Sequence, residues 1–366
     1  MLEELELLKI ELMAKGMTVS ESARRAIEGD KKRPLTLADY ASTSGISLEL
    51  PERIWANAPI QDFNPNFVGE GTQHILDFRD GVFYVRNGQL EVEAKPVPVP
   101  EYHDKANSKG EKYTNFSITH TDRVRASPLE GCSNNCKFCD MPLKYDYRTK
   151  TPEDIVDSIG VALDDVILPA RHIMLSGGTP KPEDYDYLNG VYDAVAQSFP
   201  GISFDVMMTP IPDLLDLRRL RGVGINGLSI NMELYNEDIA REIMPGKHEI
   251  SRQGYLDFIK QAVDVFGIGK VRSLLMLGLE PLEDTLKGVE ELAVRGCDPV
   301  LSPFRPDPST PLADKLPPTI EFMAEAYERA RDIVSKHNGV VMGPRCIPCH
   351  HNTLTFPDDS GEYFYS

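Results

Sequence analysis

Arg123-Val124-Arg125-Ala126-Ser127-Pro128-Leu129, followed by Cys132-Ser133-Asn134-Asn135-Cys136-Lys137-Phe138-Cys139, is the stretch on which the fold and chemistry of this chain turn. A short, apolar-leaning extended run delivers three thiols packed into eight residues. Three close thiolates suit a soft metal centre, yet they are one ligand short of a closed four-ligand site. A centre held by three protein donors keeps one coordination position for something that is not protein.

Working outward, residues 151 to 304 alternate strand and helix. The pattern predicts helix from Thr151 to about Leu163, strand His172 to Leu175, helix Asp184 to Gln197, strand Phe204 to Met208 and helix Pro212 to Leu220. Strand Gly227 to Asn231, helix Ser251 to Phe266, strand Val271 to Leu277, helix Leu282 to Ala293 and strand Val300 to Phe304 follow. Repeated βα units imply a parallel sheet covered by helices, so the fold class is α/β, a partial TIM-type barrel. Chemistry in such sheets gathers at the C-terminal strand ends. Four predicted ends carry candidate groups: the cysteine loop, Ser176-Gly177-Gly178-Thr179-Pro180, Asn231 with Glu233, and Gly278-Leu279-Glu280. Two glycines let a ligand approach backbone closely. Asn231 and Glu233 share a face if the chain there is extended.

Before the barrel, residues 1–70 read as a helical extension, with Leu2, Leu5, Leu8, Leu12 and Met13 at helical spacing. Thr18-x-x-Glu21 resembles a capping box for a second helix. Within 71–122 the period changes to two, and Asp80-Gly81 and Asn87-Gly88 are hairpin signals, so a small antiparallel meander is expected. The proline-rich run 95–100 ends it as an extended linker. Residues 123–315 form the barrel core, and 316–366 add a helix from about Thr319 to Lys336, a short strand Val340 to Met342 and a Cys-rich segment.

Composition limits the function classes. The chain has 366 residues, 41% apolar and 26% charged, enough for a full globular core. A formal net charge of -18 disfavours a nucleic-acid partner, whose affinity comes from clustered Lys and Arg. No run approaches the roughly 18 to 20 apolar residues of a membrane span, and the acidic N-terminus lacks a secretory pattern, so a cytoplasmic location is expected. Six cysteines, mostly in two tight groups, fit metal ligation better than a disulfide framework.

The C-x3-C-x2-C spacing, with an aromatic just before the third cysteine, resembles the cluster motif of the radical S-adenosylmethionine (radical SAM) enzymes. The resemblance covers residues 123 to about 312. It implies a 4Fe-4S cluster on Cys132, Cys136 and Cys139, whose open iron takes the amine and carboxylate of S-adenosylmethionine (SAM). On the same resemblance Gly177, Gly178 and Thr179 meet the SAM amino group, Phe138 and Leu279 flank adenine, and Arg252 pairs with the SAM carboxylate. Asn231 and Glu233 resemble the ribose-binding pair of the biotin synthase and methylornithine synthase branch, with Glu in place of the familiar Asp. Ser309-Thr310-Pro311-Leu312 is similar to that branch's Gly-Thr-Pro-Leu turn, with Ser in place of Gly. The family implies a reductive cleavage of SAM to a 5'-deoxyadenosyl radical that abstracts hydrogen from a small biosynthetic substrate. It also implies an electron donor of the flavodoxin or ferredoxin type. A reading of a different class stands beside it: a zinc-stabilised barrel that binds a ligand without catalysis.

A second constellation, Cys346-Ile347-Pro348-Cys349-His350-His351, is metal-ligand chemistry by composition and sits after the predicted seventh strand. It admits three roles. One is an auxiliary iron-sulfur cluster completed by Cys297 or a histidine, which would allow sulfur insertion. Another is a local zinc staple. The third is a substrate-facing thiol or imidazole, with His350 and Arg305 as candidate catalytic groups. Arg305, at the end of the sixth strand, is a candidate clamp for a substrate carboxylate.

Overall fold

The computed structural model describes residues 2–31, 33–40, 45–62, 68, 72–88 and 90–359. Parts of the expected 1–70 extension (41–44, 63–67, 69–70) and the end of the 316–366 segment lie outside the described residues.

The N-terminal region contains helices α1 (Glu4–Lys15) and α2 (Glu21–Lys31) and strands β1 (Thr18–Val19), β2 (Gly45–Leu50), β3 (Ile54–Pro59), β4 (His74–Arg79), β5 (Val82–Asn87) and β6 (Leu90–Pro96). The meander forms at β4, β5 and β6, where Asp80 (φ 52°) and Gly81 (φ 83°) give the left-handed pair of a tight hairpin. The helical expectation for 1–70 is corrected by β2 and β3. These strands join the meander in one six-stranded sheet of order β1-β4-β5-β6-β2-β3. Ile46, Leu48 and Leu50 recur at period two and are buried, which is strand rather than helix spacing. Thr18 is not a helix cap either; it lies in β1 beside Ile75, and Ser20 Oγ accepts the Ala23 N–H at the start of α2.

The second sheet has β7 (Ser117–Thr119), β8 (Arg123–Ala126), β11 (His172–Leu175), β12 (Ser203–Met207), β13 (Gly227–Ser229), β14 (Val271–Leu277) and β15 (Asp298–Pro303), in the order β15-β14-β13-β12-β11-β8-β7. A two-stranded ribbon, β9 (Leu129–Glu130) with β10 (Arg148–Thr149), lies between β8 and β11 in sequence. Between the strands come α3 (Met141–Lys144), α4 (Pro152–Leu163), α5 (Tyr185–Ser198), α6 (Leu217–Gly222), α7 (Glu237–Ile243), α8 (Pro245–His248), α9 (Arg252–Phe266) and α10 (Leu282–Val294), with α11 (Ile320–Val334) after β15. From β8 to β15 every pairing is parallel and the spatial order follows the sequence. There is therefore no reversal of strand order of the doubly wound kind, and the sheet is a partial TIM-type barrel. The antiparallel edge strand β7 starts this sheet before residue 123, ahead of the expected boundary.

Period two sorts the side chains. In β14, Val271, Ser273, Leu275 and Leu277 are buried on the helix side, whereas Arg272, Leu274 and Met276 face the barrel interior. One apolar core runs from Leu8 through the strands to Phe356, so the N-terminal sheet and the barrel are fused. Burying that apolar surface supplies roughly 25 cal/mol per Å².

The predicted seventh strand does not form. Val340–Met342 follows β15 through isolated bonds, Gly343 N–H to the Pro299 carbonyl (2.7 Å) and Val341 N–H to Asp298 Oδ1 (3.0 Å). Gly343 at φ 72° and Pro344 then turn the chain into a 3-10 helix, Ile347–Asn352. No helix among the described residues is long and apolar enough to cross a membrane.

Candidate functional site

The cysteine loop follows β8 and is fastened to the end of β11. Ser133 N–H reaches the Thr179 carbonyl (3.0 Å), and Asn134 Nδ2 donates to Thr179 Oγ1 (2.9 Å). Cys132 Sγ accepts two backbone N–H groups, from Thr179 (3.1 Å) and Asn134 (3.3 Å). Gly178 permits this closeness, because a Cβ there would stand 1.9 Å from the Gly131 carbonyl oxygen and 2.8 Å from Cys132 Cα. Lys137 N–H ties the far side of the loop to the Ile243 carbonyl at the end of α7 (2.8 Å).

Cys136 and Cys139 pack in an apolar group with Phe138, Leu234, Met244, Leu279 and Phe304. Burial pushes the Cys136 thiol up to about 12 and the Cys139 thiol up to about 11. All three cysteines are free of disulfides, so the donor set fits a three-thiolate metal or cluster site. Beside them Lys247 Nζ pairs with Glu233 Oε1 at 2.9 Å, both largely buried. Burial pulls the ammonium down, but the Glu233 carboxylate overrides it and holds Lys247 above its ordinary range. Sequence reasoning missed Lys247, for a lysine in Pro-Gly-Lys-His carries no signal of burial.

Two expected positions changed. Glu233 has φ 68°, which breaks the extended run, so it does not share a face with Asn231. Asn231 lines the barrel interior and its Oδ1 accepts from Ser229 Oγ (2.9 Å), while Glu233 turns toward Lys247. Arg252, at the start of α9, lies over the Tyr235 ring (4.5 Å) and pairs with Glu237 (3.3 Å).

The barrel interior is a cavity of about 320 Å³. Phe138 lines it at the cysteine-loop end, together with Met174, Met207 and Met276 from three strands. Four arginines line it as well, Arg123, Arg125, Arg272 and Arg305, and among the described residues no acidic side chain does. Arg272 is paired with Asp205 (2.8 Å), and Arg305 donates to Asn57 Oδ1 of β3 (2.9 Å). Burial draws Arg125 below its ordinary range and Arg305 down to about 10. The alternation Arg123-x-Arg125 in β8, a strand paired on both sides, was the legible sign that one face meets something other than apolar core.

The Cys346–His351 segment reaches the opposite pole. Cys349 lines the cavity, but from the N-terminal ends of the strands rather than from a seventh strand end. Cys346 Sγ lies 3.3 Å from Asp122 Oδ1, just before β8, and Cys349 Sγ lies 3.7 Å from His172 Nε2, the first residue of β11. The two neighbouring thiols shift each other in opposite directions, Cys349 well below the thiol range and Cys346 well above it. His350 corrects the expectation of a substrate-facing imidazole. Its Nε2 meets the Pro344 carbonyl (2.8 Å), its backbone carbonyl accepts from Lys9 Nζ (3.0 Å), and it is not among the cavity-lining residues. Burial pushes His350 down to about 3 and His351 down to about 4, so both are neutral at pH 7. Cys297 is fully buried, with Sγ directed at the Asp298 carbonyl (3.9 Å), and does not join Cys346 and Cys349.

Comparison with known proteins agrees with the cysteine loop. Residues 127–293 match the Radical SAM superfamily and form a radical SAM domain. A bacteriochlorophyllide c C-7(1)-hydroxylase from Chlorobaculum limnaeum is 28% identical over 130 residues, 35% of this chain and 32% of that protein. The chain thus spans about a third of the length of that curated relative. Among solved structures, the FeFe-hydrogenase maturase HydG from Carboxydothermus hydrogenoformans aligns with TM-score 0.47 at 17% identity, over 62% of this chain and 55% of that one. A radical SAM methyltransferase from Sphaerobacter thermophilus aligns with TM-score 0.46 at 15% identity, over 80% and 82% of the two chains.

Proposed function

From the radical SAM domain at residues 127–293 we infer that this chain is an enzyme that cleaves SAM reductively and abstracts hydrogen from a small anionic molecule in the arginine-lined cavity. The carrying observation is the joint between the cysteine loop and the end of β11, where Gly178 meets Gly131 and two N–H groups converge on Cys132 Sγ. A 4Fe-4S cluster on Cys132, Cys136 and Cys139 supplies, when bound, the electron for SAM cleavage.

The chain's own residues set the geometry. Thr179 and Asn134 orient Cys132, and the apolar group around Cys136 and Cys139 keeps water from the thiolates. Gly177, Gly178 and Thr179 present backbone to the SAM amino group, and Phe138 and Leu279 flank its adenine. Asn231 is the ribose contact that already faces the cavity. Glu233 and Arg252 hold protein partners, so contacts from them to SAM exchange those pairs for ligand. Their arrangement weakens the case for the biotin synthase and methylornithine synthase branch, which rests on Asn231, Glu233 and residues 309–312. Arg305 and Arg125 hold the substrate's anionic group by charge-assisted hydrogen bonds. A flavodoxin- or ferredoxin-type protein is the electron donor on this reading.

Anaerobic reconstitution tests it. The expected result is brown protein with about four irons per chain at Cys132, Cys136 and Cys139, forming 5'-deoxyadenosine from SAM and dithionite. Colourless protein that carries only zinc sinks the proposal and leaves a ligand-binding barrel.

A further inference from the structure

Asp122, His172, Cys346 and Cys349 each offer one ligand atom, and these four atoms lie within 4.8 Å of one another. We propose that they hold a single divalent metal ion of the zinc type, which fastens the C-terminal segment to the first two parallel strands of the barrel. The set mixes two thiolates, one imidazole and one carboxylate, donors that zinc accepts in a closed tetrahedral site. Bonds of about 2.0 to 2.3 Å at tetrahedral angles put neighbouring donors roughly 3.3 to 3.8 Å apart. The Cys346 to Asp122 separation of 3.3 Å and the Cys349 to His172 separation of 3.7 Å fall in that range.

The four donors come from three separated segments, and the fold itself brings them together. Register pairs His172 with Arg123, which sets Asp122 and His172 side by side at the same end of β8 and β11. The turn of Cys346-Ile347-Pro348-Cys349, closed by Cys349 N–H to the Cys346 carbonyl (3.0 Å), presents both sulfurs to them. His172, Cys346 and Cys349 are buried, and Asp122 is half-buried. A cluster of several irons would hold its ligand atoms further apart, because the metals stand between them. Four protein donors leave no open position, which marks the site as structural. This site does not depend on the SAM reading.

Cobalt(II) alone is the probe, added anaerobically to full-length protein in which Cys132, Cys136 and Cys139 are all replaced by alanine. One equivalent should bind with thiolate-to-cobalt charge-transfer and tetrahedral d–d bands, and zinc should displace it. His172→Ala and Asp122→Ala in the same background should weaken cobalt about 10- to 100-fold or more. Should the triple variant not fold, the cobalt difference spectrum between wild type and Cys346→Ser gives the same readout. The proposal is overturned by the absence of a thiolate band at Cys346 and Cys349, or by unchanged affinity in the His172 and Asp122 variants. It is equally overturned if reconstituted protein loses more than one iron per chain in Cys346→Ser/Cys349→Ser.

Discussion

Two cysteine groups sit at opposite ends of the same pair of strands, and they differ in what the protein adds to them. At the C-terminal ends of β8 and β11, Cys132 receives backbone N–H groups, and no carboxylate or imidazole joins the three thiols among the described residues. At the N-terminal ends, Asp122 and His172 come within ligand distance of Cys346 and Cys349. Donor count separates them: three thiols leave room for a small molecule, four mixed donors close around an ion. Proximity of cysteines alone therefore does not tell reactive metal chemistry from structural metal chemistry.

The largest expected effect breaks the upper site and spares the lower. Cys136→Ala should reduce 5'-deoxyadenosine formation to background, about a hundredfold or more, while cobalt or zinc at Cys346 and Cys349 stays unchanged. Loss of both would show that the two poles are one cooperative metal unit. Next, Lys247→Met should cost about 3–5 kcal/mol in denaturant unfolding, because it leaves Glu233 as an uncompensated buried charge. Glu233→Gln in the same background should recover part of that loss.

Gly178→Ala tests the joint itself. A methyl 1.9 Å from the Gly131 carbonyl forces the loop from the strand end, at a cost of about 1–3 kcal/mol. Iron per reconstituted chain should fall in parallel, whereas Gly190→Ala, in the interior of α5 with nothing within 4 Å of its Cβ, should leave iron unchanged and raise stability by about 0.5–1 kcal/mol.

The smallest effect concerns the lower pole's support. Lys9 is fully buried, donates to the His350 and Thr355 carbonyls (3.0 and 2.6 Å), and burial lowers its pKa to about 7. The unfolded chain keeps that lysine protonated up to its ordinary value of 10.5, so between pH 7 and 10.5 the unfolded state binds more protons. Lys9 therefore makes stability rise with pH across that window, by at most about 1.4 kcal/mol per unit. Its favourable contribution is complete above 10.5 and lost as pH falls through 7. The wild-type-minus-Lys9→Met difference in unfolding free energy, measured from pH 6 to 10, should therefore rise with pH above 7, and a flat difference would break the assignment.

Legibility followed the same divide. The βα alternation was readable because each strand and helix carries its own period, and His172–Leu175 and Val271–Leu277 form at the expected residues. Strands β2 and β3 were missed because Ile46, Leu48 and Leu50 lay beside long helical patterns, and their partner β6 is distant in sequence. The pairing of Glu233 with Lys247 was hidden by a left-handed backbone at Glu233 that glycine, not glutamate, would announce.

By itself the sequence determined the three-thiol loop, the parallel barrel that carries it and the glycine pair beside it, since all of these are written in short-range spacing. Only the tertiary structure decided which side chains surround each thiol. Asp122 and His172 come together through parallel register, and Cys346 and Cys349 reach them because Gly343 and Pro344 turn the chain back under the barrel. Metal ligation depends on distances of a few ångströms, and residues 122, 172 and 346 acquire such distances only when the sheet has formed.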